Sequence, residues 1–167
     1  AVEKGIREAL VEGVLAGYPV TNIKTILYDG SYHSVDSSEM AFKLAAILAF
    51  RKGMEQARPV LLEPIYNVEV TVPEQFMGDI IGDLNSKRGR VLGMGSADED
   101  GDSPISVVKA TVPLAEMLRY SIDLRAMTSG KATFEMRFSH YDPISGKIAE
   151  KVIEERKKEF AEEEANK

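Results

Sequence analysis

The order of apolar and polar positions divides this chain into two stretches of different character. Over residues 1–15, Val2, Ile6, Ala9 and Leu10 recur at helical spacing among Glu and Lys, which predicts an amphipathic helix. Gly13 and Gly17-Tyr18-Pro19 end it, because Gly accepts a left-handed terminus and Pro cannot continue a helix. Residues 20–28 then alternate, with Val20, Asn22, Lys24, Ile26 and Tyr28 on one side and Thr21, Ile23, Thr25 and Leu27 on the other. That period of two predicts a strand whose second face packs on helices. Asp29-Gly30 marks a turn. A second helix is predicted over 37–57, with Asp36 as N-cap and Glu39 completing a capping box. Its apolar stripe is Met40, Leu44, Ile47 and Leu48, while Ala41, Ala45, Ala46 and Ala49 permit close packing. Arg58-Pro59 stops this helix, and residues 60–64 form an extended connector with a Pro at either side. The domain boundary is placed there.

The second stretch contains a repeat. Thr71-Val72-Pro73 returns as Thr111-Val112-Pro113, and Asp83-Leu84 returns as Asp123-Leu124, each forty residues on. Gly89-Arg90 returns as Gly130-Lys131 with one extra residue inserted. Each copy reads strand, helix, strand. A strand over 66–72 alternates Tyr66, Val68, Val70 and Val72 on one face. Pro73 suits the first turn of a helix, where a missing N–H costs nothing. That helix buries Phe76, Met77, Ile80, Ile81 and Leu84 and ends in the basic run to Arg90, with Gly89 as terminator. Residues 90–94 and 105–112 form a hairpin pair. The second helix, 114–125, buries Leu114, Met117, Leu118 and Ile122, and a last strand, 131–139, alternates Ala132, Phe134, Met136 and Phe138 with charged neighbours. Two such copies predict an α+β fold, a ferredoxin-like split β-α-β sandwich with one sheet and two helices on one face. The tail 147–165 is a charged helix anchored by Ile148, Val152 and Phe160.

Composition narrows the function classes. The 167 residues carry 21 basic and 27 acidic side chains, a net charge of -6. No segment is basic overall, so nonspecific nucleic-acid binding by bulk charge is disfavoured and any RNA contact must come from a local cluster. There is no Cys, which excludes disulfides, thiol chemistry and a cysteine zinc site. No stretch approaches the roughly 18 apolar residues of a membrane helix, and no basic-then-apolar leader opens the chain, so a soluble intracellular protein is expected.

Candidate chemistry is sparse. Asp98-Glu99-Asp100-Gly101-Asp102 faintly resembles a calcium loop, but the twelfth position, which needs Glu, is Lys109. His33 and His140 lie far apart and show no local partners, and His33 is read as ordering the turn before the second helix. There is no Ser nucleophile elbow and no phosphate-binding G-x-x-x-x-G-K loop. The remaining candidate is the basic cluster Lys87, Arg88 and Arg90, with its repeat counterpart from Arg125 to Lys131. Two readings stand for it: cations that complement helix C-termini, worth roughly 0.3–1 kcal/mol each, or a patch that contacts phosphates.

Several long ordered motifs resemble one family. The run from Leu27-Tyr28-Asp29-Gly30-Ser31-Tyr32-His33 through Ser34-Val35-Asp36-Ser37-Ser38-Glu39-Met40-Ala41-Phe42 is similar to the fourth domain of bacterial elongation factor G. Met77-Gly78-Asp79-Ile80-Ile81-Gly82-Asp83-Leu84-Asn85, Lys87-Arg88-Gly89, Val112-Pro113-Leu114-Ala115-Glu116-Met117 and Asp123-Leu124-Arg125 resemble its fifth domain. The resemblance covers about residues 1–155. It implies the end of a fourth domain with a partial α+β fold like ribosomal protein S5 domain 2 over 1–64, a complete ferredoxin-like fifth domain over 65–146, and a C-terminal helix over 147–167. The first half of the fourth domain and the GTPase domain would then lie outside the chain.

The function implied is a ribosome-binding C-terminal module of a translocase that moves tRNA and mRNA with GTP. This part has no catalytic residues or metal site, so GTP or GDP and magnesium belong to the absent N-terminal part. The implied partners are the ribosome, large-subunit rRNA and a stalk-base protein, with no membrane and no DNA, in the cytoplasm. The chain is expected to be a monomer, or to have the apolar faces of 1–60 covered by another chain and to be less stable there than over 65–146. The resemblance turns Lys87, Arg88, Arg90, Arg125 and Lys131 into expected rRNA contacts, with Arg88→Glu weakening binding and leaving stability intact. Where the family carries Gly-Arg-Gly, this chain has Gly130-Lys131-Ala132, which keeps the charge and loses the guanidinium fork. The acidic hairpin 95–104 is also longer than the family leads one to expect. The alternatives are a ribosome-recycling or ribosome-protection paralogue, and a stand-alone ferredoxin-like regulatory domain that binds a small metabolite between helices and sheet.

Overall fold

The computed structural model describes residues 1–97, 104–144 and 146–165. The acidic run that resembles a calcium loop falls outside them, as does most of the hairpin connection. The chain forms two compact units, Leu62–Pro143 and the pair of segments Ala1–Leu61 and Ile144–Lys167. The expected boundaries at 64 and 146 therefore move to 61 and 143. The C-terminal helix, expected to stand apart, groups with the N-terminal segment.

In the first unit, α1 (Val2–Ala9) lies against α2 (Glu39–Gln56), with Gly5, Ala9 and Ala46 buried. Lys4–Glu39 at 2.9 Å and Lys43–Glu8 at 2.5 Å tie the two helices. The N-cap of α2 is Ser38, whose side chain accepts from the Ala41 N–H at 3.0 Å, and not Asp36. Met40, Leu44 and Leu48 of the expected stripe are exposed, and so are Ala45 and Ala49; of the four alanines only Ala46 is buried, beside Gly5 of α1. Residues 20–28 form no strand. Alternation makes a strand only beside a partner, and among the described residues none pairs with this segment. Ile26, Leu27 and Tyr28 are exposed there. The helix α6 (Gly146–Ala165) reaches back to residues 16–18. The Arg156 guanidinium lies 5.4 Å from the Tyr18 ring centre and 4.7 Å from that of Phe160, a cation held between two aromatic faces.

The second unit carries the repeat. Its sheet has the order β2-β3-β1-β4, from β1 (Leu62–Pro73), β2 (Arg90–Ser96), β3 (Ile105–Pro113) and β4 (Thr133–Pro143). Every neighbouring pair is antiparallel, the ferredoxin-like arrangement that two strand-helix-strand copies dictate. The two Thr-Val-Pro segments end adjacent strands: Pro73 pairs with Ile105, and Pro113 with Ile65. Both prolines are the last strand residues, not the first helical ones.

Val68, Val70, Val72, Val108, Ala110 and Val112 cover one face of the sheet, and α3 (Met77–Ser86) packs Ile80 and Leu84 on them. The second helix is broken into α4 (Leu114–Met117) and α5 (Tyr120–Thr128). The break resets the helical phase. Met117, Tyr120, Leu124 and Thr128 are buried, whereas Leu118 and Ile122, expected in the core, are 77% and 60% exposed. Tyr120 stands edge-on to Phe134 with centroids 5.0 Å apart.

Candidate nucleic-acid interface

The expected basic residues sit at the two repeat-related helix ends. After α3, Lys87 caps the helix, Arg88 adopts a left-handed backbone with φ 57°, and the Gly89 N–H donates to the Leu84 carbonyl at 2.8 Å. After α5, Ser129 and Gly130 are left-handed at φ 50° and 76°, and the Gly130 N–H donates to the Arg125 carbonyl at 3.0 Å. Both closures are six-residue bonds with a Gly donor, the usual way of satisfying a terminal helix carbonyl. They place the repeat's extra residue between Leu124 and Gly130, so that Arg90 and Lys131 are counterparts. The two glycines serve different needs. A Cβ on Gly89 would stand 2.5 Å from the Leu84 carbonyl oxygen, so it is required for close approach. Gly130 is required for its positive φ.

The first helix end is tied inward. Lys87 Nζ lies 3.1 Å from Asp83 Oδ1 and 3.1 Å from Asp123 Oδ2, the two aspartates that the repeat relates. Burial acts to lower its pKa, but the hydrogen bonds to Asp123 and Asp83 outweigh burial and raise it. Arg88 forks onto Glu63, with Nη1–Oε1 at 2.7 Å and Nη2–Oε2 at 3.0 Å, and its Nε donates to Glu116 at 2.9 Å. The bidentate bonds to Glu63 push its pKa up against the desolvation that opposes them, with Glu116 adding to the rise. Arg88→Glu would bring a third carboxylate to Glu63 and Glu116. The expectation that this substitution spares stability therefore does not hold.

Arg90, Arg125 and Lys131 are exposed, and their side chains make no ion pair among the described residues. Arg125 runs beside Gly130, and both border an open depression lined also by Ser121, Leu124, Ala132, Thr133 and Phe134. A second depression joins Ser121, Ile122, Arg125 and Ala126. Between helices and sheet, Val68, Val70, Val72, Ile80, Leu84, Val108, Val112 and Tyr120 are fully buried.

Sequence reasoning missed the partners. Glu63, Glu116 and Asp123 are separated from their cations by 25, 28 and 36 residues, and the only signal was the repeat of Asp-Leu. It also missed Tyr120, fully buried with a hydroxyl that has no hydrogen-bond partner, beside Asp83, whose Oδ2 has none either. The two histidines differ. At His33 the turn is ordered by the backbone: its N–H donates to Ser37 Oγ at 2.8 Å and its carbonyl accepts from the Ser37 N–H at 3.0 Å. His140 has local partners after all, with Nδ1 2.9 Å from Ser139 Oγ and Nε2 3.0 Å from Asp142 Oδ2. That row is exposed, and neither depression reaches it. Among the described residues no group of three metal-ligating side chains comes together, and no helix is long and apolar enough to cross a membrane.

Two family profiles match in succession. "Elongation factor G, domain IV" covers residues 1–58 and "Elongation factor G C-terminus" covers 60–152. The chain belongs to the elongation factor G family. It is 56% identical over 164 residues to an elongation factor G-like protein of Thermotoga maritima, and 55% identical over 156 residues to elongation factor G of Aquifex pyrophilus. These alignments take in 98% and 93% of the chain but 23% and 22% of the relatives. The chain thus spans about a quarter of their length. A crystal structure of a Thermus thermophilus protein superposes with a TM-score of 0.82 at 47% identity, over 94% of this chain and 23% of that one. The family boundary at 58–60 falls close to the structural one at 61, and residues 153–167 lie beyond both profiles.

Proposed function

We propose that the chain is a ribosome-binding module of a translational GTPase that drives the movement of tRNA and mRNA. The observation that carries this reading is the succession of the two elongation factor G profiles along residues 1–58 and 60–152. The module itself performs no chemistry. Hydrolysis of GTP, with its magnesium, belongs to a nucleotide-binding domain elsewhere in the parent protein, and the work is done in the cytoplasm. No phosphate-binding loop occurs in these residues, in keeping with that division.

The contacts are assigned to the repeat domain. Arg90, Arg125 and Lys131 are the cations available for rRNA phosphates, because among the described residues their charges meet no carboxylate. Lys87 and Arg88 instead hold the helix ends that present them. A stalk-base protein is the second expected neighbour, and Leu118 and Ile122 on α4–α5 offer it an apolar surface.

The test is cosedimentation of the chain with bacterial large ribosomal subunits across a salt series. Binding should weaken with salt, and changing Arg90, Arg125 and Lys131 together to Glu should abolish it. Each single change should flatten the salt slope by about 0.7–0.9. Binding that persists in the triple variant refutes the assignment of contacts, and absence of any binding by the wild type refutes the module.

A further inference from the structure

The chain enters the repeat domain at Leu62 and leaves it at Pro143, and these two residues are paired. From Leu62 to Pro64 the partner is β4 alone, since β3 joins only at Ile65. The domain therefore begins and ends in a two-strand stem, a structure of marginal stability without help. The Ile144 N–H donates to the Leu61 carbonyl at 2.8 Å, which fixes the phase of the ladder. Hydrogen-bonded pairs alternate with non-bonded ones. Leu62 with Pro143, and Pro64 with Tyr141, then fall at non-bonded positions, where a missing proline N–H costs nothing. Glu63 with Asp142 is the bonded pair between them, and the register breaks just beyond, at Ile65/Tyr66.

That bonded pair carries two carboxylates directly opposite each other, an arrangement that pushes strands apart. Each is met by a cation or donor. Arg88 forks onto Glu63, whose side chain is only 12% exposed, and His140 Nε2 lies against Asp142. Arg88 is held for this task by a left-handed backbone at the end of α3 and by Glu116 on its other side.

We propose that Arg88 is the latch of this stem: its fork on Glu63 keeps the entering and leaving strands of the repeat domain paired at Glu63–Asp142. This assigns Arg88 a positioning role, and it does not depend on ribosome binding.

The test is amide hydrogen exchange on the full chain, read by NMR. Arg88→Gln should speed exchange at the Glu63 and Asp142 amides by about tenfold, as expected for loss of charge-assisted bonds, and leave the Val70 and Val108 amides unchanged. Adding Glu63→Gln should return Asp142 exchange toward wild type, because the facing charge is then gone. Arg88→Gly relieves the left-handed backbone and should still open the stem. The proposal is overturned by unchanged stem exchange in Arg88→Gln, by equal acceleration at Val70 and Val108, by a double variant as open as the single one, or by wild-type protection in Arg88→Gly.

Discussion

Lys87, at the end of α3, reaches Asp123 in α5 at 3.1 Å and so bonds the two helices of the repeat. The same ammonium holds Asp83, the residue that the repeat places in register with Asp123. One cation thus serves both copies, and the pseudo-symmetry is broken at the position where it is most tightly joined. Lys87→Met should lower stability by about 1–2 kcal/mol, because it leaves the part-buried carboxylate of Asp83 unpaired. Urea denaturation of the repeat domain within the full chain measures this, and a loss below about 0.3 kcal/mol would mean the tie is solvent-screened.

The same cluster sets an alkaline limit. The Lys87 pKa is raised above its ordinary 10.5, so its contribution is complete below that value and is lost as pH climbs through the folded pKa. Tyr120 is pushed up from 10.0 by burial first and then by the charges of Asp83 and Asp123, so the folded state keeps a proton that the unfolded chain releases. Both groups make stability fall above about pH 10. Tyr120→Phe should remove the tyrosine part of that fall. At neutral pH the change should be neutral or stabilising by up to about 1 kcal/mol, since the buried hydroxyl has no partner to lose. Thermal melts at pH 7 and pH 10.5 separate the two effects.

Gly89 and Gly82 should respond oppositely to alanine. At Gly89 the added Cβ meets the Leu84 carbonyl oxygen at 2.5 Å, and the cost should be about 1–3 kcal/mol. At Gly82, inside α3, a Cβ meets nothing within 4 Å, and Ala should stabilise by about 0.5–1 kcal/mol. Paired urea midpoints decide this, and a destabilising Gly82→Ala would show that the open side of α3 is covered.

The first unit should open before the second. Among the described residues its buried apolar side chains are Ala9, Ala16, Ala46 and Leu61, whereas the second unit buries Ile80, Leu84, Val112 and Tyr120 among many others. Small side chains remove little area from water, at about 25 cal/mol per Å². Amides of α1 and α2 should exchange at least tenfold faster than those of β1 and β3. Equal protection in a verified monomer would contradict the reading.

The exposed stripe of α2 should make the chain adhesive. Leu44→Lys with Leu48→Lys should raise the concentration at which it stays monomeric and change stability by less than about 0.5 kcal/mol. Light scattering across a dilution series reports the first, and urea midpoints the second.

The repeat domain's fold is written in its order of residues. Val68, Val70 and Val72 alternate strictly, Ile80 and Leu84 are one helical turn apart, and these local periods admit one sheet face and one helix stripe. The recurrence of Thr-Val-Pro and Asp-Leu then fixed two copies, and the ordered motifs placed the family. Packing in three dimensions was needed to choose which of two equivalent stripes in the second helix is inside. Leu118 and Ile122 have the same spacing as Tyr120 and Leu124, and the break before Tyr120 chose between them when the helix docked on the sheet. Residues 20–28 have a strand's alternation but lack a strand's neighbour, because a ladder needs two chains of backbone groups and a pattern describes only one. The site divided the same way. Sequence showed Lys87, Arg88, Arg90, Arg125 and Lys131 as candidate contacts and set only Lys131 apart, because it stands where the family carries Arg. Folding turned the first two toward Asp83, Asp123, Glu63 and Glu116, residues up to 36 positions away, and left the other three exposed, with no ion pair among the described residues. Charge is written in the chain, but the partner that neutralises it is chosen by distance in space.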